Sequence, residues 1–311
     1  MLDIALTTVP FFGLVLCGWI AARTRRLPAQ AVASLNGFVL WFALPAMLFR
    51  FVAGTPVDTL LDLRVSVGYI ASGLLVYAAV AAVLRIRLGN GWIDTGYGAL
   101  AAAWPNWGYM GFGLMPALFG VEALTVMIAA GTMDLLVLMP AALLVASRGR
   151  STGGLAVLAA GLKGVSRNPL FVAIAAGLAV SLLHLPIPQP IDEFLRLLGS
   201  SAGPVALFAI GVFVYRPTPV RADRGSVLLI SAKLVLHPLV MWLVATGLGL
   251  PAATVAVMTV VAALPAAGTA FLFVERNGGN VERVAGVILL STALSFVTIT
   301  LLVGWVRAGS G

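Results

Sequence analysis

The chain has 311 residues, of which 61% are hydrophobic and only 10% are charged, whereas an average soluble domain carries about 25% charged residues. This composition excludes an ordinary soluble fold and predicts a protein whose solvent is the lipid bilayer. The net charge of +8 does not indicate a nucleic-acid partner, because the basic residues lie in short clusters between apolar segments. The single cysteine, Cys17, lies in an apolar segment, which excludes a disulfide framework and a cysteine metal site.

Apolar segments of about 20 residues, enough to cross a ~30 Å hydrocarbon core, recur along the whole chain. Ten are predicted as transmembrane spans, near residues 4–22, 30–49, 65–84, 95–119, 123–146, 168–185, 194–215, 226–248, 252–273 and 284–306. The first is predicted to be a retained span and not a cleavable signal peptide, because its arginines follow the apolar segment instead of preceding it. The longest connection, 147–167, is predicted to join two halves, 1–146 and 168–311, and to contain a short interfacial helix.

The charges predict the orientation of these spans. Most of the 19 lysines and arginines lie in loops that follow odd-numbered spans, and the loops after even-numbered spans carry mostly acidic residues. Cytoplasmic loops are enriched in lysine and arginine. The bias therefore places the odd loops in the cytoplasm and both termini outside.

Span four is predicted to break near its middle. Pro105 removes a backbone donor and clashes with the preceding turn, and Gly108 and Gly111 each weaken a helix by about 1 kcal/mol relative to alanine. Span nine contains a similar stretch, since Ala102–Gly108 (AAWPNWG) and Ala262–Gly268 (AALPAAG) agree at four of seven positions. Paired interrupted spans in the two halves of a chain indicate the binding site of a transporter.

The two halves also match outside the broken spans, at a constant offset of 159 residues. The matches pair Pro10, Phe12 and Gly18 with Pro169, Phe171 and Gly177, and Pro45, Leu48 and Phe49 with Pro204, Leu207 and Phe208. Because each half has an odd number of spans, the second must enter the membrane from the opposite face. The predicted fold is an all-α membrane protein with two inverted five-helix repeats, in which spans four and nine are broken.

With these motifs the sequence resembles the auxin efflux carrier family, which comprises plant auxin carriers and bacterial relatives. The motifs are LNGFVLWFALPAMLF (Leu35–Phe49), PNWGYMGFG (Pro105–Gly113), RNPLF (Arg167–Phe171), GPVALFAIG (Gly203–Gly211), KLVLHP (Lys233–Pro238) and ALPAAGTAFLF (Ala263–Phe273). The resemblance implies ten helices in two inverted repeats, with a scaffold part and a transport part. It also implies that the broken helices cross beside a carboxylate-bearing substrate. Bacterial members are associated with malonate or malate and plant members with indole acetate, so the expected location is a bacterial inner (cytoplasmic) membrane.

The chain departs from the family pattern at both breaks. Gly113 stands where the family usually has a second proline after the PN of span four. In span nine the family commonly places an amide side chain, and the corresponding positions here are Ala266 and Thr269. The second half of the predicted site is therefore less polar than the family pattern.

The candidates for substrate binding lie at the two breaks, together with one cation of span eight. They are Pro105, Asn106, Gly108, Gly111, Lys233, Pro265, Ala266 and Thr269. Asn106 could hold a substrate carboxylate or cap a freed helix end, and the polar position near mid-membrane favours the site. Lys233 is either a fixed cation that replaces a coupling sodium or attracts an anion, or a side chain that snorkels to the cytoplasmic surface.

Two further residues are candidates for coupling. Asp134 is the carboxylate well inside span five, so it is either a protonation site or a structural hydrogen-bond partner. His237 lies one helical turn from Lys233, where a structural hydrogen bond is favoured over a transport role. The family motifs add Asn36, Pro45, Asn168 and Pro204 as structural residues.

The sequence therefore predicts a secondary active transporter of small organic anions, mono- or dicarboxylates, that works by alternating access and is either proton-coupled or a uniporter. The alternatives are a sodium-coupled symporter of bile-acid-carrier type and a membrane receptor that binds a carboxylate without moving it. No HExxH, CxxC, GxGxxG or Walker A motif is present. We therefore expect no enzymatic activity, cofactor, metal or nucleic-acid partner. The sequence is compatible with a homodimer but does not predict the oligomeric state.

Overall fold

The computed structural model describes residues 2–28, 31–57, 62–120, 123–149, 159, 163, 166–215 and 223–309. Their secondary structure is helical, and within them one isolated antiparallel β-bridge joins Pro105 to Ala266. Most of the connection 147–167 lies outside the described residues, and so do Arg216 and Arg221 of the next basic loop. The interfacial helix expected in that connection therefore stays a prediction.

The helices of the first half begin and end close to the predicted spans. They are α1 (Leu2–Arg23), α2 (Ala31–Phe38), α3 (Leu44–Ala53), α4 (Leu63–Ala82), α5 (Trp92–Ala103), α6 (Phe112–Phe119), α7 (Ala123–Met133) and α8 (Met139–Ser147). Those of the second half are α9 (Pro169–Leu182), α10 (Gln189–Ser200), α11 (Ala202–Val214), α12 (Arg224–Ser231), α13 (His237–Gly247), α14 (Ala252–Ala263), α15 (Thr269–Asn277) and α16 (Val281–Gly309).

Six helical segments of the described chain are long and apolar enough to cross a membrane. They are Ala31–Ala53, Leu63–Arg87, Ala123–Ser147, Gln189–Phe213, Arg224–Gly247 and Val281–Val306. Shorter apolar helices cover Val9–Arg23, Pro169–Leu182 and Ala252–Ala263. The predicted spans four and nine are not among the long segments, because α5 ends at Ala103 and α14 at Ala263, just before the two prolines. The chain is a multi-pass membrane protein.

Three of the long segments pass through a π-helical turn directly before a proline. The turns are Val39–Ala43 before Pro45, Asp134–Leu138 before Pro140 and Ala232–Leu236 before Pro238. In each, the residue before the proline donates its N–H to the carbonyl five residues back, as His237 does to Ala232. The wider turn lets the helix continue past the proline ring. It also places Asp134 and Lys233 in turns of a kind that is frequent at functional sites.

Glycines bring two pairs of helices into close contact. A Cβ atom built on Gly18 of α1 would lie 2.0 Å from the carbonyl oxygen of Phe208 in α11. One built on Gly177 of α9 would lie 3.0 Å from the carbonyl oxygen of Phe49 in α3. Helices in membranes associate through small residues of this kind. The two contacts join residues that correspond at the offset of 159, since Gly18 matches Gly177 and Phe208 matches Phe49.

We expect Gly18→Ala to destabilise the protein, because its methyl group would overlap the backbone of α11. Overpacking of this kind costs about 1–3 kcal/mol. Gly13→Ala in the same helix is the matched control, since a Cβ there meets nothing within 4 Å. The measurement is thermal unfolding in detergent. Equal midpoints for the two variants would show that α1 and α11 do not approach as described.

Candidate functional site

The two breaks lie against each other, and each provides hydrogen-bond partners for backbone groups of the other. The N–H of Asn106 donates to the carbonyl oxygen of Pro265 at 2.8 Å, and the N–H of Ala267 donates to that of Trp104 at 3.1 Å. In hydrocarbon every freed backbone group needs such a partner. We call this pairing of residues 104–106 with 265–267 the crossover.

The Asn106 side chain is both a helix cap and a group that faces open space. Its Oδ1 accepts a hydrogen bond from the N–H of Tyr109 at 3.3 Å, which satisfies one free donor of the helix that restarts there. The residue is 2% exposed, and its Nδ2 has no hydrogen-bond partner among the described residues. Capping therefore uses only one end of this buried amide, and the other end is free to bind a ligand.

A cavity of about 400 Å³ lies beside the crossover. The described residues that line it are Leu40, Trp41, Leu44, Trp104, Pro105, Asn106, Trp107, Gly108, Tyr109, Leu135, Met139, Arg167, Asn168, Pro169, Leu170, Ala267, Thr269 and Phe273. Its walls are mostly aromatic and aliphatic, with a few polar groups, as is usual for small-molecule sites. Trp41 is 58% exposed and Arg167 is exposed, so the cavity reaches the surface.

The predicted substrate-binding residues divide into two groups around this cavity. Pro105, Asn106, Gly108 and Thr269 line it. Pro265, Ala266, Gly111 and Lys233 do not line it. Pro265 and Ala266 belong to the crossover backbone, and the N–H of Ala266 donates to the hydroxyl of Ser291 at 3.1 Å. Gly111 packs against Met127.

Lys233 lies behind the crossover, with its side chain completely buried. Its Nζ donates to the carbonyl oxygen of Ala262 at 2.8 Å and lies 2.9 Å from Nδ1 of His237. Ala262 is in the last turn of α14, where free carbonyl groups and the helix dipole favour a cation. Lys233 therefore stabilises the broken end of span nine, and it does not snorkel to the surface.

Asp134 is also buried, and its Oδ2 accepts two hydrogen bonds. Tyr69 donates its hydroxyl at 3.0 Å and Trp107 donates its indole N–H at 2.8 Å. Oδ1 is buried and has no partner among the described residues. Asp134 does not line the cavity, but Trp107 does. One indole ring therefore connects the carboxyl group to the cavity wall.

Of the four structural residues taken from the family motifs, Asn168 lines the cavity, and Asn36, Pro45 and Pro204 do not. Asn168 caps α9 by accepting from the N–H of Leu170 at 2.9 Å, and it also lines the cavity. Pro45 follows a π-helical turn of span two. Asn36 is half-buried in α2, and Pro204 is exposed in α11.

Tyr109 and Arg167 line the cavity but were not among the sequence-based site candidates. A signal for Tyr109 was available, because it corresponds to Thr269 when the two breaks are aligned on their prolines. Arg167 begins the RNPLF motif, which supported the family resemblance and did not mark this arginine as a site residue. Its contact with the cavity depends on how α9 packs against span two, which the motif does not reveal.

Comparison with known proteins assigns the family. The family model described as "Membrane transport protein" matches residues 4–303, nearly the whole chain. The chain belongs to the auxin efflux carrier family. Its members are membrane transporters, so the crossover and its cavity lie in a transport protein.

Three curated proteins are similar in sequence to this auxin efflux carrier family member. A Rhizobium meliloti (strain 1021) protein named "Putative malonate transporter" is 33% identical over 316 residues, covering 100% of this chain and 98% of that protein. "Auxin efflux carrier component 8" of Arabidopsis thaliana is 23% identical over 349 residues, covering 94% of each. "Lysosomal cholesterol signaling protein" of Mus musculus is 26% identical over 245 residues, covering 73% of this chain but only 28% of the mouse protein.

Proposed function

We propose that this protein is a secondary active transporter of small carboxylates, which it binds at the crossover. The observation that carries the proposal is the buried Asn106 amide, whose Nδ2 lacks a partner in a cavity next to two helix starts. One helix restarts after Asn106 and the other, α15, begins at Thr269. Free N–H groups and the dipole at a helix start favour an anion.

The comparisons support a carboxylate without identifying one. The Rhizobium meliloti relative, which covers the full chain, has malonate in its name, and malonate is a small dicarboxylate. The described lining of the cavity contains no acidic side chain that would repel such an anion.

For the architecture we propose ten membrane spans in two inverted five-span repeats, 1–146 and 168–311. The glycine contacts support it, because the pair Gly18 and Phe208 reproduces the pair Gly177 and Phe49 with the halves exchanged. These contacts join α1 to α11 and α3 to α9, which would form the scaffold. Alternating access would then move the remaining helices, with the crossover, against that scaffold.

We also propose that the protein lies in a bacterial inner membrane with both termini outside, the orientation that the charge bias favours. The cavity reaches the surface at Arg167, the last residue of the connection 147–167. That connection is cytoplasmic in the proposed orientation, so the described state would be open to the cytoplasm.

Asn106→Asp tests the proposed site, because aspartate keeps the acceptor that caps Tyr109 and removes the free Nδ2 donor. A hydrogen bond to a charged group contributes about 1.5–3 kcal/mol, so we expect carboxylate affinity to fall at least about 10-fold. The measurement is stabilisation of the purified protein by a panel of mono- and dicarboxylates, followed by uptake of the best ligand into proteoliposomes.

The control is Asn36→Asp, the same change at a half-buried asparagine that does not line the cavity. Unchanged affinity in Asn106→Asp would contradict the site. Carboxylate binding by the wild type without any uptake would instead favour a receptor.

A further inference from the structure

The crossover cavity is lined by a charged side chain, Arg167, to which the proposed function assigns no role in binding. Among the described residues that line the cavity, Arg167 is the only charged one. The ion pairs of the described chain involve Arg50, Arg64, Arg196 and Arg283, so Arg167 has no carboxylate partner there. A guanidinium group without a partner at a cavity is a ready receptor for an anion.

Asn106 and Arg167 lie at different depths of the same cavity. Asn106 is buried at the crossover, whereas the Arg167 side chain is exposed where the cavity reaches the surface. The lining also includes Leu44, Leu135 and Met139, which offer apolar contact to methylene groups. The arrangement has a polar inner end, an apolar wall and a cationic outer end.

We infer that Arg167 binds a second carboxylate and thereby selects dicarboxylates over monocarboxylates. This inference rests on the proposed function, in which the first carboxylate binds at Asn106. The planar guanidinium can hold a carboxylate through two parallel N–H···O bonds, which a lysine cannot reproduce. A monocarboxylate of the same length would occupy the inner end and leave Arg167 hydrated.

The test compares Arg167→Gln with the wild type, using the full-length protein in detergent. The ligands are malonate, succinate and glutarate, each paired with the monocarboxylate of equal chain length: propanoate, butanoate and pentanoate. We expect Arg167→Gln to lose about 10- to 100-fold in affinity for the best dicarboxylate and to bind its paired monocarboxylate within about 2-fold of the wild type. Arg167→Lys should recover only part of the loss.

Arg26→Gln is the matched control, because Arg26 is also exposed and does not line the cavity. Equal losses for mono- and dicarboxylates in Arg167→Gln would make Arg167 a general attractor of anions and overturn its role in selection. No loss for either class would remove it from the site. If no carboxylate stabilises the wild type, the proposed function fails first, and the inference fails with it.

Discussion

Replacing Lys233 by alanine is expected to destabilise the protein and to weaken carboxylate binding, although Lys233 does not line the cavity. The buried Nζ of Lys233 donates to the carbonyl oxygen of Ala262 and contacts Nδ1 of His237. Alanine would leave the Ala262 carbonyl oxygen and His237 Nδ1 without this partner and would open a space inside the bundle. Large-to-small changes in a core cost about 2–5 kcal/mol, and an orphaned buried polar group adds about 1–3 kcal/mol.

Binding should weaken because Ala262 lies three residues before Pro265, which pairs with Asn106. Without the hydrogen bond from Lys233, the end of α14 and the following Pro265 could shift. The position of Asn106 depends on Pro265, with which it is hydrogen-bonded. Lys233→Met separates the two effects, since methionine fills much of the space but donates no hydrogen bond. We expect the methionine variant to be more stable than the alanine variant and to bind carboxylates equally weakly.

Lys163→Ala is the control for Lys233→Ala, because Lys163 is exposed. Its unfolding temperature and carboxylate affinity should match those of the wild type. The measurements are thermal unfolding and ligand titration in the same detergent. Wild-type affinity in Lys233→Ala would show that the crossover does not depend on this lysine.

Local chemistry explains why the breaks could be predicted from sequence. Proline and glycine weaken a helix wherever they occur, so Pro105 and Pro265 marked the ends of α5 and α14 before any tertiary contact was known. The β-bridge between Pro105 and Ala266 is consistent with the crossing that the family resemblance implied. Burial of both breaks follows from the need to satisfy their backbone away from lipid.

Contacts between distant helices could not be predicted in the same way. The sequence gives the depth of Lys233 in its span, but not the rotation that points its side chain at Ala262. It shows that Asp134 is isolated along the chain, but not that Tyr69 and Trp107 surround it. The sequence did not mark Arg167 as a site residue, because arginines near span ends are common in cytoplasmic loops and normally indicate only the orientation of the spans.

The hydrogen bonds of Asp134 give its proposed role in coupling a sharp test. Both donors bind Oδ2, and Oδ1 has no partner among the described residues. A proton can therefore bind at Oδ1 without breaking either hydrogen bond. Because Trp107 lines the cavity and donates to the same carboxyl group, a change of charge on Asp134 would act directly on the cavity wall.

Asp134→Asn is expected to keep substrate exchange and to lose accumulation driven by a proton gradient. The asparagine oxygen can still accept from Trp107 and Tyr69, so the cavity wall should keep its shape. The amide cannot take up and release a proton, so an imposed pH gradient should no longer drive uptake. Asp134→Leu should be less stable than Asp134→Asn, because it leaves the donors of Tyr69 and Trp107 buried without an acceptor.

The measurement is uptake of radiolabelled malonate into sodium-free proteoliposomes, with and without a pH gradient, beside malonate exchange without a gradient. Asp62→Asn is the control, since Asp62 caps α4 through the N–H groups of Arg64 and Val65 and asparagine caps a helix equally well. It should accumulate malonate like the wild type. Equal pH-driven uptake by the wild type and Asp134→Asn would rule the aspartate out as the coupling group. The absence of any pH-driven uptake in the wild type, with exchange intact, would instead describe a uniporter driven by the anion gradient and the membrane potential.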